Sequence, residues 1–229
     1  EGLKELAEGL LQTGSNPSIE HIDSLTDGQA TTCIKGSVNI DKEQPITIAP
    51  CDNGLIYDAK KFQELFSRDD VDIIVWGAKS YPGAIKNPKM YGWIETNEDS
   101  EIIKSISVKK PLKDIKNDAI VVGAFTFKKH NHFLESVKRM KERQGLVNGE
   151  YYVDTCINDA IELGYKCVIF NVDKYICWGT PDDLATFEYW QFCFHEWQSH
   201  SYRLERDPNI PRSNLDKVKQ DLSNKFYKA

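Results

Sequence analysis

The chain has 229 residues, 40% of them hydrophobic and 11% aromatic, with a formal net charge of −6. That length and apolar content allow one large domain or two small ones with a sizeable core. A mean hydropathy of −0.51 and the lack of a long apolar run exclude a transmembrane segment. The mild acidity excludes a protein that works by neutralising nucleic-acid phosphates.

The opening residues, "EGLKELAEGLLQTG", are charged and read as an amphipathic helix over 3–11, with Leu3, Leu6, Leu10 and Leu11 on one face, rather than as a signal peptide. The chain starts at Glu1 instead of methionine, so a fragment or processed form is expected. "IEHIDSL" predicts a strand. Asp27 and Gly28 open a helical stretch, "GQATTCIKGSV". "PITIAPC" is an apolar strand that ends at Asp52, and residues 58–67 predict a helix carrying Phe62, Leu65 and Phe66. "VDIIVWGA" reads as a strand buried on both faces. "YPGAIKNPKMYG" reads as a turn-rich loop, and "WIETNEDSEIIKSISVK" alternates like a hairpin with "NEDS" at its turn.

"AIVVGAFTF" predicts another buried strand, residues 130–144 a basic helix, and "DTCINDAIELG" a helix stopped by Gly164. "KCVIFNVD" is a strand. "GTPDD" then starts a long helix, with Pro181 in its first turn and two acids near its positive end. Leu184, Phe187, Trp190, Phe194 and Trp197 form its apolar stripe, expected to pack into the core, with an oligomer interface as the other reading. Leu215, Val218, Leu222 and Phe226 suggest a thin last helix or a tail. Alternation of strands and helices predicts an α/β domain with a mixed, mostly parallel sheet flanked by helices. One domain is expected over 1–197, followed by a polar segment over 198–229.

The six cysteines, at 33, 51, 156, 167, 177 and 193, form no CxxC, which disfavours a zinc knuckle. They read as buried, reduced thiols of a cytoplasmic protein. His130 and His132 have no nearby partner ligands, His195 and His200 give no stronger signal, and GxSxG, Walker and Rossmann fingerprints are lacking. In open α/β sheets ligands sit beyond the carboxyl ends of the strands. Asp52 lies at such an end, where it either holds a hard cation or caps a turn. Lys109 and Lys110 precede Pro111 and can meet a phosphate or simply face solvent. Glu150 and Asp154 flank "YYV" and can bind sugar hydroxyls or favour the positive end of the next helix.

The order of segments resembles the sugar-phosphate nucleotidyltransferase family. "DGQATT" looks like its base-reading loop, and "APCDNG" like the strand that ends in its metal-binding aspartate. "NPKMYGWIET" looks like its "YG" segment. "VKKP" with "VVGAFTF" looks like its "EKP" and "tGlY" pair, and "NGEYYVDTCIN" with "WGTPDDL" like its sugar-side acid and "GTPedl" turn. The resemblance runs from about residue 20 to about residue 197. It implies a Rossmann-like nucleotidyltransferase fold and transfer of a nucleotidyl group from a nucleoside triphosphate to a sugar 1-phosphate, as in polysaccharide biosynthesis. It implies Mg²⁺ on Asp52, Asp52 and Lys110 as catalytic groups, and Gly28 by the nucleobase. Tyr91, Gly92, Gly123, Glu150, Gly179 and Thr180 are the implied substrate contacts.

Three departures qualify the match. The family's Gly-rich phosphate loop is missing, Cys177 stands where relatives have a second magnesium-binding aspartate, and Lys109 replaces the acid of "EKP". A domain that binds nucleotide sugars without turnover is therefore the alternative expectation. A related glycosyltransferase is another, although Asp52 lacks the paired acid that class needs. A homo-oligomer is a further expectation.

Overall fold

The computed structural model describes residues 18–227 except residue 99, so the helix expected over 3–11 lies outside the described residues. In chain order the elements are α1 (Gln29–Gly36), β1 (Ile46–Ile48), β2 (Asn53–Ile56), α2 (Ala59–Phe66), β3 (Ile73–Ala78), α3 (Pro82–Lys86), β4 (Gly92–Thr96) and β5 (Ile103–Val108). They continue with β6 (Ala119–Phe127), α4 (His130–Glu142), α5 (Val153–Glu162), β7 (Cys167–Asn171), β8 (Lys174–Cys177), α6 (Pro181–Glu196) and α7 (Leu215–Phe226). None of these helices is long and apolar enough to cross a membrane. The chain divides into two compact units. One holds the described residues up to Pro50 and Ile56–Lys174, the other Cys51–Leu55 and Tyr175–Ala229.

The first unit is α/β, built on a six-stranded mixed sheet in the order β5-β4-β6-β3-β7, with β1 also paired to β6. The expectation of a mostly parallel sheet needs correction. Only β3 and β7 pair in parallel, while β6 is antiparallel to β1, β3 and β4, and β5 is antiparallel to β4. β1, β3, β4 and β7 do run the same way, but β6 runs against them from the middle of the sheet and converts most neighbour pairs to antiparallel. A continuous apolar run marks a strand buried on both faces and carries no sign of its direction.

Both faces of that sheet are covered. On one, Ile73, Val75, Phe125 and Phe127 pack with Phe133, Val137 and Met140 of α4 and Cys156, Ile157 and Ala160 of α5. On the other, Trp76 lies 4.8 Å from Phe62 and 5.0 Å from Phe170 between ring centroids, and its indole N–H donates to Thr126 Oγ1 at 3.0 Å. α2 brings Phe62 there, and Asp58 caps that helix by accepting from the Lys60 N–H at 2.9 Å. Within α5, Asp159 is fully buried and accepts from Arg143 Nε at 2.5 Å and Nη2 at 2.6 Å.

Two further expectations change. "IEHIDSL" forms no strand, and its Ile19, Ile22 and Leu25 are exposed. In the second unit the apolar stripe of α6 does not form the core: Leu184, Trp190 and Trp197 are exposed. Instead Phe192, from another side of α6, packs with Leu204 and Leu222, and Val218 and Phe226 of α7 join them. A helix that is aromatic nearly all round gives no single buried face to read.

Candidate functional site

Several predicted residues of the first unit gather where the edge of β6 changes partner. β1 pairs with Phe125–Phe127 and β4 with Ala119 and Ile120, so Gly123 falls between the two registers. Its φ of 82° lies in the left-handed region that favours glycine, and an added Cβ would stand 3.2 Å from Pro50 Cγ.

β4 starts beside this break with Gly92, which is buried. A Cβ on Gly92 would come within 2.6 Å of Asp154 Oδ2, so the lack of a side chain is what lets the carboxylate lie there. Tyr91, just before it, meets Tyr81 edge-on at 5.9 Å, and its carbonyl accepts from the Lys109 N–H at 3.1 Å.

Lys109 is turned into this region by a left-handed backbone, φ 57°, which costs a non-glycine residue about 1 kcal/mol. Its ammonium donates to the Met90 carbonyl at 2.5 Å and lies 5.9 Å from the centre of the Tyr152 ring. Lys110, the lysine singled out from sequence, is exposed and lines a separate hollow with Glu95, Ser105 and Ser107.

Asp154 is the second residue of α5, where the helix dipole favours a negative charge. The residue is half-buried, yet its Oδ1 is shut off from solvent and has no hydrogen-bond partner. Burial pushes its carboxyl up to about 6, with the Lys109 charge pulling the other way. An unpaired buried acceptor of this kind costs about 1–3 kcal/mol. Glu150 stands at the end of a tight turn in which Val147 and Glu150 exchange both backbone hydrogen bonds, 3.0 Å each. Asn148 and Gly149 supply the two positive φ values, 51° and 84°, that such a turn requires. The glutamate is exposed, and its bond to the Tyr152 hydroxyl adds to burial in raising that phenol.

Gly28 is buried and pressed on backbone: its added Cβ would lie 2.4 Å from the Tyr151 nitrogen. The contact is fixed on both sides, since Tyr151 N–H donates to Asp27 O at 3.0 Å and Ala30 N–H to Tyr151 O at 2.9 Å. The glycine thus ties the start of α1 to the segment carrying Glu150 and Asp154.

The second unit holds the remaining predicted residues. Asp52 is exposed in a bend before β2, and its carbonyl accepts from the Trp178 N–H at 2.8 Å. A Cβ on Gly179 would be 3.2 Å from Asp52 Oδ2 and 3.5 Å from Cys177 Sγ, so carboxylate and thiol flank the same turn. Thr180 caps α6: its Oγ1 accepts from the Asp183 N–H at 3.1 Å and donates to Asp183 Oδ2 at 2.7 Å. Cys51, beside Asp52, is the exposed cysteine among the described residues.

No group of three His, Cys, Asp or Glu side chains able to hold a metal occurs among the described residues. Asp52 offers one hard oxygen and Cys177 a soft sulfur. This donor set fits magnesium only in the form where one carboxylate shares the ion with substrate phosphates and water.

Sequence reasoning named both Lys109 and Asp154; what it did not show is the left-handed backbone that separates Lys109 from Lys110 and the sealed oxygen of Asp154. The available signal was an acid set among apolar neighbours, in "YYVDTCI".

No protein-family description matches the chain, and no curated protein sequence is similar to it. Solved structures are similar. A nucleoside-diphosphate-sugar pyrophosphorylase from Vibrio cholerae RC9 superimposes with a TM-score of 0.64 at 18% identity, over 81% of this chain and 75% of that one. A Bacillus anthracis protein assigned as a glucose-1-phosphate thymidylyltransferase, solved with a sucrose, gives 0.61 at 14% identity, over 80% and 70%. HddC from Yersinia pseudotuberculosis gives 0.51 at 16% identity, over 80% and 71%. The chain has the fold of the sugar-phosphate nucleotidyltransferases.

Proposed function

We propose that the chain is a sugar-phosphate nucleotidyltransferase that joins a nucleoside triphosphate to a sugar 1-phosphate. The observation that carries the reading is the break in the edge of β6, where Gly123, Gly92, Lys109 and Asp154 collect polar groups around close-approach glycines. The shared fold supports it.

In the reaction a phosphate oxygen of the sugar phosphate attacks the α-phosphorus of the triphosphate. That O–P bond forms as the bond to the β-phosphate oxygen breaks, and pyrophosphate leaves with the electron pair. Such transfer needs alignment and charge stabilisation more than covalent help. In this reading Lys109 and Lys110 offset phosphate charge, and Glu150 accepts hydrogen bonds from sugar hydroxyls. Gly92 and Gly123 give the ligand room near the backbone, and Gly28 fixes the segment near the base. Gly179 and Thr180 shape the turn beside Asp52, and Tyr91 packs by the sugar. Asp52 would hold a magnesium ion shared with the phosphates, an ion that supplies charge neutralisation when bound. A cytoplasmic place in polysaccharide biosynthesis goes with this reading. So does self-association, which the exposure of Trp190 and Trp197 supports.

The lone carboxylate at Asp52, next to Cys177, favours a second reading: a domain that binds nucleotide sugars without turnover. Pyrophosphate release decides between them. With magnesium, the common nucleoside triphosphates and a set of hexose 1-phosphates, the first reading expects release that Asp52→Asn reduces at least about 100-fold. Tight binding with no release supports the second, and neither binding nor release overturns both.

A further inference from the structure

The overall charge of −6 hides a local excess of the opposite sign. The segment between β3 and β4, residues 79–91, carries Lys79, Lys86 and Lys89 and no acid. The segment between β5 and β6, residues 109–118, carries Lys109, Lys110, Lys113 and Lys116 against Asp114 and Asp118. Together the two segments hold a formal charge of +5.

The sheet places both segments over one face. Trp93 of β4 and Ser107 of β5 are cross-strand partners, so their side chains leave the sheet on the same side. The Trp93 indole N–H donates to the Pro88 carbonyl at 2.8 Å, and the Ser107 hydroxyl to the Lys110 carbonyl at 2.7 Å. The Ser80 hydroxyl ties one segment to the other by donating to the Lys116 carbonyl at 3.0 Å. The segments are thus held by their backbone, which leaves the lysine side chains outside. Lys79, Lys86, Lys89, Lys110, Lys113 and Lys116 are exposed, and none of them is in an ion pair among the described residues. Lys113 and Lys116 act on Glu95 and Asp114 only through space. Ile85 and Met90 stand exposed in the same stretch of chain, at 37% and 51%.

We propose that this lysine-rich face docks the protein on the surface of an anionic lipid bilayer, with Ile85 and Met90 entering the headgroup boundary. The inference goes beyond the nucleotidyltransferase reading and does not depend on it. The cations of both segments are all lysines. Lysines are point charges without the bidentate fork of a guanidinium, which suits a diffuse negative surface better than one fixed phosphate. A nucleic acid would answer the charge but not the two apolar side chains, whereas a lipid surface takes up both. None of the described helices is long and apolar enough to cross a membrane, so the contact is peripheral.

Co-sedimentation of the whole chain with vesicles of phosphatidylcholine alone, or with about one-third phosphatidylserine, tests this. At about 0.1 M salt the chain should bind the anionic vesicles at least about tenfold better than the neutral ones, and about 0.5 M salt should release it. Changing Lys79, Lys86, Lys89, Lys113 and Lys116 together to glutamine should weaken binding at least about 100-fold, since each lysine near such a surface contributes roughly fivefold. Ile85→Ser with Met90→Ser, which keeps every charge, should weaken it roughly tenfold. No preference for anionic vesicles by the folded wild type overturns the proposal, as does binding that the five glutamines leave unchanged. Binding insensitive to Ile85→Ser with Met90→Ser, or matched by poly-glutamate or single-stranded DNA of equal charge, marks a general polyanion surface and overturns the lipid assignment. If the five-lysine variant does not fold, Lys86→Gln and Lys116→Gln decide singly. Each should cost roughly fivefold, and no effect from either overturns the proposal. Pyrophosphate release plays no part in the readout, so failure here leaves the nucleotidyltransferase reading standing.

Discussion

Two of the three acids of helix α5 have opposite fates. Asp159, near its end, is fully buried, and both its oxygens are met by the Arg143 guanidinium. Asp154, in its first turn, has a sealed oxygen that nothing in the protein meets. The first is a solved packing problem: the fold brought the charge inside together with its partner. The second is unsolved within the protein, and it sits beside the glycines and the lysine of the candidate site. Burial alone does not say how an acid is accommodated; what differs between these two is whether the chain supplies the partner.

The largest test of this contrast removes the partner of the satisfied acid. Arg143→Met should cost about 3 kcal/mol in urea unfolding, at the low end for a broken buried pair because the arginine is partly exposed. Asp154→Asn should behave in the opposite way. A carboxyl raised from 3.8 to about 6 in the folded chain binds its proton more tightly than the unfolded chain does, so its contribution to stability is full below pH 4 and lost as pH rises through 6. Relative to wild type, Asp154→Asn should therefore gain about 2–3 kcal/mol between pH 4 and pH 8. A flat difference across that range would erase the contrast.

Gly92→Ala should cost about 1–2 kcal/mol, because its methyl must displace the Asp154 carboxylate. The same variant should shift the Asp154 midpoint seen by NMR. Lys109→Met should raise that midpoint further, by less than about one unit, since the lysine is a secondary influence beside burial. Asp52→Asn should change stability by less than about 0.5 kcal/mol, as expected for an exposed side chain whose fold contact is made by its backbone.

Much of the fold was legible. The apolar runs of β3 and β6, the capped start of α6 and the stop at Gly164 all mark local, short-range physics. Strand direction was not legible, because β6 is apolar whichever way it runs. Nor was the outward face of α6, where Phe192 rather than the spaced tryptophans found the core. At the site, adjacent lysines read alike in sequence. A left-handed backbone at Lys109, and not at Lys110, sent the first toward Gly92, and no side-chain pattern announces that choice. Asp154 was visible as an acid that could meet sugar hydroxyls or a helix dipole. The packing of Gly92 against it, and the lack of a donor at Oδ1, are set by the tertiary fold and leave no mark in the sequence.

The position of Cys51 has a practical consequence. Burial raises the thiols of Cys33, Cys156 and Cys167, the last to about 12, which keeps them protonated and slow to alkylate. Cys51 is open to solvent and adjoins Asp52 in the chain. A maleimide fluorophore should therefore mark Cys51 ahead of the buried thiols, placing an optical reporter next to the proposed metal ligand. If the proposed function holds, its emission would follow magnesium and triphosphate binding in real time, with no product having to form.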